Sequence, residues 1–136
     1  MPFGKNPARA EELPSGEPTE SAQLVDRIEG ELELLARNVD ILEKLAKSPP
    51  TGIIRLSEAL GLPIHKTRYS LHLLEREGVI QPSADGAVVT DRAQEFWRIL
   101  NRSLDRSLDS MSAVIQRLKA RAAEHAAPPP PGRKGY

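Results

Sequence analysis

The side chains with most to offer a ligand fall within eight residues: His65, Lys66, Arg68, Tyr69, Ser70 and His72. Together they present a planar guanidinium fork, an ammonium, two hydroxyls and two imidazoles. That is the chemistry of recognising acceptor groups and anions by charge-assisted hydrogen bonds. Thr51 and Arg55, a short way upstream, add a hydroxyl and another cation. Bond-making chemistry has no comparable set. The sequence holds no Gly-rich phosphate loop, no nucleophile with a matching base, and no cluster of carboxylates with His, so no enzyme is expected and no cofactor is implied. Cys is absent, which excludes disulfides, thiolate metal sites and a Cys nucleophile. His65 and His72 stand two helical turns apart, so they share a face but not the reach of one metal ion. A zinc site would need a third ligand, and none is expected. A plainer reading stands beside the recognition reading: Lys66, Arg68 and Arg76 also fit a solvated face, and Tyr69 also fits packing.

These side chains need a scaffold. The pattern predicts a first long helix from about Thr19 to Lys47, with Thr19 or Ser21 as its cap. Val25, Ile28, Leu32, Leu35, Val39, Leu42 and Ala46 alternate at spacings of three and four, a heptad seam. Leu24, Leu34, Ile41 and Leu45 add a second apolar face, and Gly30 is a place for a bend. Ser48-Pro49-Pro50 ends the helix. Ile53-Ile54-Arg55 is a β-prone run, and Leu56 to Leu60 a short helix stopped by Gly61. Pro63 suits the first turn of the next helix, which runs to about Glu77 with Gly78 beyond its end. Val79-Ile80-Gln81 and Ala87-Val88-Val89 flank Pro82 to Gly86, and the Asp85-Gly86 pair signals a hairpin. The expected core is Leu60, Leu62, Ile64, Leu71, Leu74, Val79 and Ile80, with Ala59 small enough for a close helix crossing. A last helix should start at Thr90 or Asp91, where Asp91 and Gln94 resemble a capping box. The fold class is therefore mainly α with a small β-hairpin.

Composition sets the outer limits. Of the 136 residues only 4% are aromatic, so the core must come from Leu, Ile, Val and Ala. No apolar run approaches the roughly 20 residues a membrane span needs, and a cytoplasmic protein without membrane partners is expected. Formal net charge is zero, but its distribution is uneven: −4 over residues 1–50 and +4 over residues 91–136. Residues 1–18, with Pro2, Pro7, Pro14 and Pro18, read as a disordered leader. Residues 126–136, with Pro128 to Pro131, read as a proline-rich tail.

The stretch Ile53 to Phe96, IIRLSEALGLPIHKTRYSLHLLEREGVIQPSADGAVVTDRAQEF, resembles the winged helix-turn-helix superfamily, in particular small prokaryotic and archaeal transcription regulators. The pieces that carry the likeness are Leu56-Ser-Glu-Ala-Leu-Gly-Leu-Pro63, Leu71-x-x-Leu74-Glu-x-x-Gly-Val-Ile80, the hairpin, and Thr90-Asp-Arg-Ala. They cover about a third of the chain. The resemblance implies sequence-specific binding of double-stranded DNA, transcription regulation and a place at the nucleoid. It implies that helix 63–77 is the one that enters the major groove. Arg68 would then read a base, because its fork matches the two acceptors of guanine. His65 and Lys66 would touch bases or phosphates, His72 would lie on the same DNA-binding face, and Tyr69, Ser70, Arg55 and Thr51 would grip the backbone. Such hairpins often carry a basic tip, whereas Ser83-Ala84-Asp85-Gly86 has no cation. That departure, with the neutral net charge, suits a protein–protein adaptor or an architectural chromosome protein as the alternative.

The last helix carries Ala93, Trp97, Leu100, Leu104, Leu108, Met111, Ile115, Leu118 and Ala122 at spacings of three and four, a coiled-coil-like seam with one irregular step. At 1.5 Å per residue it would be about 45 Å long, more than a small domain can cover. Two apolar faces on the first helix are likewise more than one intrachain partner can bury. A homodimer is expected, with Leu24, Ile28, Leu100, Leu104, Leu108, Met111, Ile115 and Leu118 in its interface.

Overall fold

The computed structural model of the chain describes residues 16–126. Most of the expected leader, and all but Ala126 of the expected tail, lie outside the described residues. The elements are α1 (Glu20–Ala46), α2 (Ile53–Leu60), α3 (Ile64–Arg76), β1 (Ile80–Ser83), β2 (Gly86–Val89) and α4 (Ala93–Ala126). The described residues are mainly α-helical with one two-stranded antiparallel hairpin. It forms two compact units, divided between Ala93 and Gln94.

In the first unit α1 begins where Thr19 Oγ1 accepts a hydrogen bond from the Ala22 N–H at 3.1 Å, an N-cap. Its C-terminal half supplies Ile41, Leu42 and Leu45 to the core, beside Leu56, Leu74, Val79, Ile80 and Ala93. The expected core is therefore only partly right. Leu74, Val79 and Ile80 are buried, Leu60, Leu62 and Leu71 are half-buried, and Ile64 is exposed. Ala59 is exposed as well. The small residues at the α2–α3 crossing are Ser57 and Thr67, both buried.

The β-prone run Ile53-Ile54-Arg55 is the first turn of α2 rather than a strand. Ile53, Leu56, Ser57 and Leu60 repeat at the helical spacings of three and four, and they are its buried and half-buried residues. The helical period prevails because β propensity depends on having a strand to pack against. What remains of a third strand is Thr51, which forms a single bridge to Ala87.

Both short helices end alike. Past α2, Leu62 N–H donates to Ser57 C=O (2.9 Å) and Gly61 N–H to Glu58 C=O (3.3 Å), with Gly61 at φ 64°. Past α3, Val79 N–H donates to Leu74 C=O (3.1 Å) and Gly78 N–H to Glu75 C=O (2.9 Å), with Gly78 at φ 75°. These are Schellman caps.

In the hairpin Ile80 pairs with Val89 and Ser83 with Gly86. The two-residue turn is thus Ala84-Asp85, and Gly86 opens β2 instead of completing the turn. Ala87 directs its N–H and C=O to Thr51 (3.0 and 3.3 Å), away from β1. Its cross-strand partner Pro82 therefore sits at a non-hydrogen-bonded position, where a missing N–H costs no ladder bond. Helix α4 starts at Ala93, one residue later than the Asp91 cap implies. Thr90 closes the approach: its hydroxyl donates to Gly78 C=O at 2.6 Å and accepts from Arg92 N–H at 3.3 Å.

The second unit consists, within the described residues, of the rest of α4. Phe96, Trp97, Leu100 and Ser103 are half-buried, whereas Leu104, Leu108, Met111, Val114, Ile115 and Leu118 are exposed. No helix among the described residues is long and apolar enough to cross a membrane.

Two glycines make opposite predictions. Gly86 has φ 127°, and a Cβ there would lie 2.3 Å from the Thr51 carbonyl carbon. Gly86→Ala should destabilise the protein by at least ~1–3 kcal/mol. Gly30 lies inside α1 with open space around its Cβ position, so Gly30→Ala should stabilise by about 0.5–1 kcal/mol. Denaturant midpoints followed by circular dichroism give the order, and a stable Gly86→Ala would contradict the bridge geometry.

Candidate functional site

Helix α3 divides its side chains between two faces. Thr67, Ser70 and Leu74 point inward and are buried. Opposite them, at spacings of three and four, His65, Arg68, Tyr69, His72 and Arg76 form one exposed row. Lys66 is exposed to one side of that row, and Ile64 is exposed at the first turn.

The inward face fixes how the outward one is held. Ser57 Oγ on α2 donates to Thr67 Oγ1 at 2.8 Å, a buried hydrogen bond. Thr67 Oγ1 in turn donates to Pro63 C=O at 3.3 Å. The N–H groups of Lys66 and Thr67 donate to the same carbonyl, both at 3.1 Å. Pro63 is thus the residue before the helix rather than in its first turn, and its carbonyl starts the helical ladder. On the other side Arg37 Nε of α1 donates to Ser70 Oγ at 2.8 Å. The buried hydroxyls are paired, as low-dielectric surroundings require.

Of the residues expected to meet a ligand, His65, Arg68, Tyr69 and His72 come together in the row, with Lys66 beside them. Ser70 does not join them: it is fully buried and spends its hydroxyl on Arg37. Thr51 is half-buried in the bridge to Ala87, and its hydroxyl donates to Pro49 C=O at 2.7 Å. Arg55 is exposed, but on α2 rather than in the α3 row. Arg76 was not among the expected contacts, although its spacing of four from His72 places it in the row. The hairpin tip, Ser83 to Asp85, is exposed and carries no cation. The Ser83 hydroxyl is taken by Gly86 C=O at 2.6 Å.

The geometry is that of a presenting surface. An open depression of about 220 Å³ lies between α1 and α2, lined by Asp40, Glu43, Lys44, Lys47 and Leu60. It is smaller than the roughly 300 Å³ at which small-molecule sites begin, and the charged residues on its rim line it mainly with their aliphatic stems. No group of three His, Asp or Glu side chains able to hold a metal ion occurs among the described residues. No protein-family model matches the chain, and no curated protein sequence matches it.

The division of α3 into two faces makes a stability prediction. Thr67→Val leaves the buried Ser57 hydroxyl without its partner and should cost about 1–3 kcal/mol. Lys66→Ala and Arg68→Ala should stay within about 0.5 kcal/mol of the parent. Comparable losses for all three in urea denaturation would mean that the exposed row also holds the fold together.

Proposed function

We propose that this chain is a winged helix-turn-helix transcription regulator that binds double-stranded DNA in the cytoplasm, at the nucleoid, as a homodimer, with α3 as its recognition helix. The observation that carries the reading is the row His65, Arg68, Tyr69, His72 and Arg76 with Lys66 beside it, held outward by buried hydroxyl bonds on the opposite face. A major groove admits one such helix, and an element that reads base edges gains from being fixed in advance. Arg68 offers its fork to guanine. Lys66 and Arg76 supply charge to phosphates, and His65, Tyr69 and His72 supply further hydrogen bonds. Arg55 adds a backbone contact from α2. Ser70 and Thr51 take no part, because their hydroxyls are already used within the fold.

The homodimer half of the proposal draws on α4. Six large apolar residues from Leu104 to Leu118 are exposed, a strip that a soluble monomer rarely leaves in water. A two-fold axis would also set two recognition helices at a fixed spacing. The hairpin tip, which has no cation and carries Asp85, favours a second reading, a protein–protein adaptor of the same fold. Such an adaptor would lack salt-dependent binding to generic duplex DNA.

Binding to duplex DNA across a salt series separates the two, after selection of a preferred site from a random library. Arg68→Ala should weaken the selected site by about 1–3 kcal/mol relative to others. Lys66→Ala should weaken all duplexes similarly and flatten the salt dependence. Shortening the hairpin between Ser83 and Gly86 should cost less than either. Affinity unchanged in both α3 variants, or no duplex binding at low salt, would overturn the proposal.

A further inference from the structure

Helix α1 enters the core only with its C-terminal half. Its N-terminal half, residues 20–33, leaves Leu24, Val25 and Ile28 exposed. That half holds Glu20, Asp26, Glu29, Glu31 and Glu33 against Arg27 alone, a net charge of −4. Helix α4 shows the converse. Its C-terminal half, residues 110–125, leaves Met111, Ile115 and Leu118 exposed and holds Arg117, Lys119 and Arg121 against Glu124, a net charge of +2. Helical geometry makes the match closer. Glu31 borders the α1 stripe, while Lys119 and Arg121 border the α4 stripe on its two sides, the places that choose partners in paired helices. At 1.5 Å per residue the two segments span about 21 and 24 Å.

The helix macrodipoles do not explain this distribution. They favour acids at an N-terminus and bases at a C-terminus, but only within the first and last turns. Glu31 and Glu33 lie about three turns into α1, and Arg117 more than two turns from the end of α4. The Arg121–Glu124 pair, 3.3 Å long and exposed on both sides, is weak enough to be exchanged.

We propose that, in the homodimer, the basic C-terminal half of α4 from one copy packs on the acidic N-terminal half of α1 of the second copy, twice about the two-fold axis. This rests on the homodimer reading above and names its interface. Self-pairing is the disfavoured arrangement: α1 against its own copy brings acids together, and α4 against its own copy brings Lys119 and Arg121 together. The cross pair covers both apolar stripes with opposite charge along the seam.

Charge exchange tests it. Glu31→Lys with Glu33→Lys should raise the dimer dissociation constant roughly tenfold or more in sedimentation equilibrium, and so should Lys119→Glu with Arg121→Glu. The fourfold variant should recover most of the loss. A wild-type dimer indifferent to either pair, or a fourfold variant no tighter than the twofold ones, overturns the interface and leaves the homodimer standing. A wild-type species of one chain's mass, 15.0 kDa, overturns both. Because the chain has no Cys, cross-linking gives a second measurement that uses intact protein. Coexpressed Ile28→Cys and Leu118→Cys chains, treated with a short bismaleimide, should yield a two-chain product that neither variant gives alone. A two-chain product from Leu118→Cys alone assigns the contact to paired α4 helices. In one chain carrying both Ile28→Cys and Leu118→Cys, cross-linking at one-chain mass assigns the contact to a single chain. Either result overturns the proposal.

Discussion

The hydrogen bond from Ser57 Oγ to Thr67 Oγ1 joins α2 and α3 through two small, buried side chains. It is buried, so an unmatched hydroxyl on either side would cost about as much as a sizeable share of a small domain's stability. Paired, it fixes the rotation of α3 about its own axis. Thr67 faces α2, Ser70 faces Arg37 of α1, and Leu74 is buried in the core. Everything exposed on α3 follows from that rotation. A turn of α3 by one residue would put Arg68 where Thr67 now sits and bury a charge, which is a far larger penalty.

The sequence announced the elements more clearly than their contacts. Thr19 as a cap, the stops at Ser48-Pro49-Pro50, Gly61 and Gly78, and the long seams of α1 and α4 could all be read from period and punctuation, because these signals act within one or two turns. Ile53-Ile54-Arg55 was misleading, since a three-residue run carries too little period to separate strand from helix. The structure places Ile53 on the same helical face as Leu56 and Leu60 and leaves Ile54 and Arg55 exposed. The core was anticipated too locally. Ile41, Leu42 and Leu45 of α1 are buried whereas Ile64 is exposed, and no pattern within residues 53–80 could report a partner from outside it.

The candidate site was legible in the same uneven way. Spacing alone grouped His65, Arg68, Tyr69 and His72, and extended one step further it would have added Arg76. Spacing also separates Ser70 from that row. Its polar side chain suggested an outward hydroxyl, yet Ser70 lies three residues from Thr67 and four from Leu74, on the buried face. A buried hydroxyl looks like a surface one in sequence until its partner, here Arg37 thirty-three positions away, is known. The hairpin tip is the reverse case: its lack of cations was plain from the sequence and is equally plain in the fold.

The account's central claim is that α3 meets DNA with the face opposite Thr67, Ser70 and Leu74. Amide chemical-shift changes in a ¹⁵N-labelled sample, titrated with a generic duplex at low salt, address it residue by residue. The account predicts the largest changes along Ile64 to Arg76 and near Arg55, with the tip at Ala84 and Asp85 little affected. Changes confined to the hairpin or to α1, or no changes anywhere in α3, would contradict it.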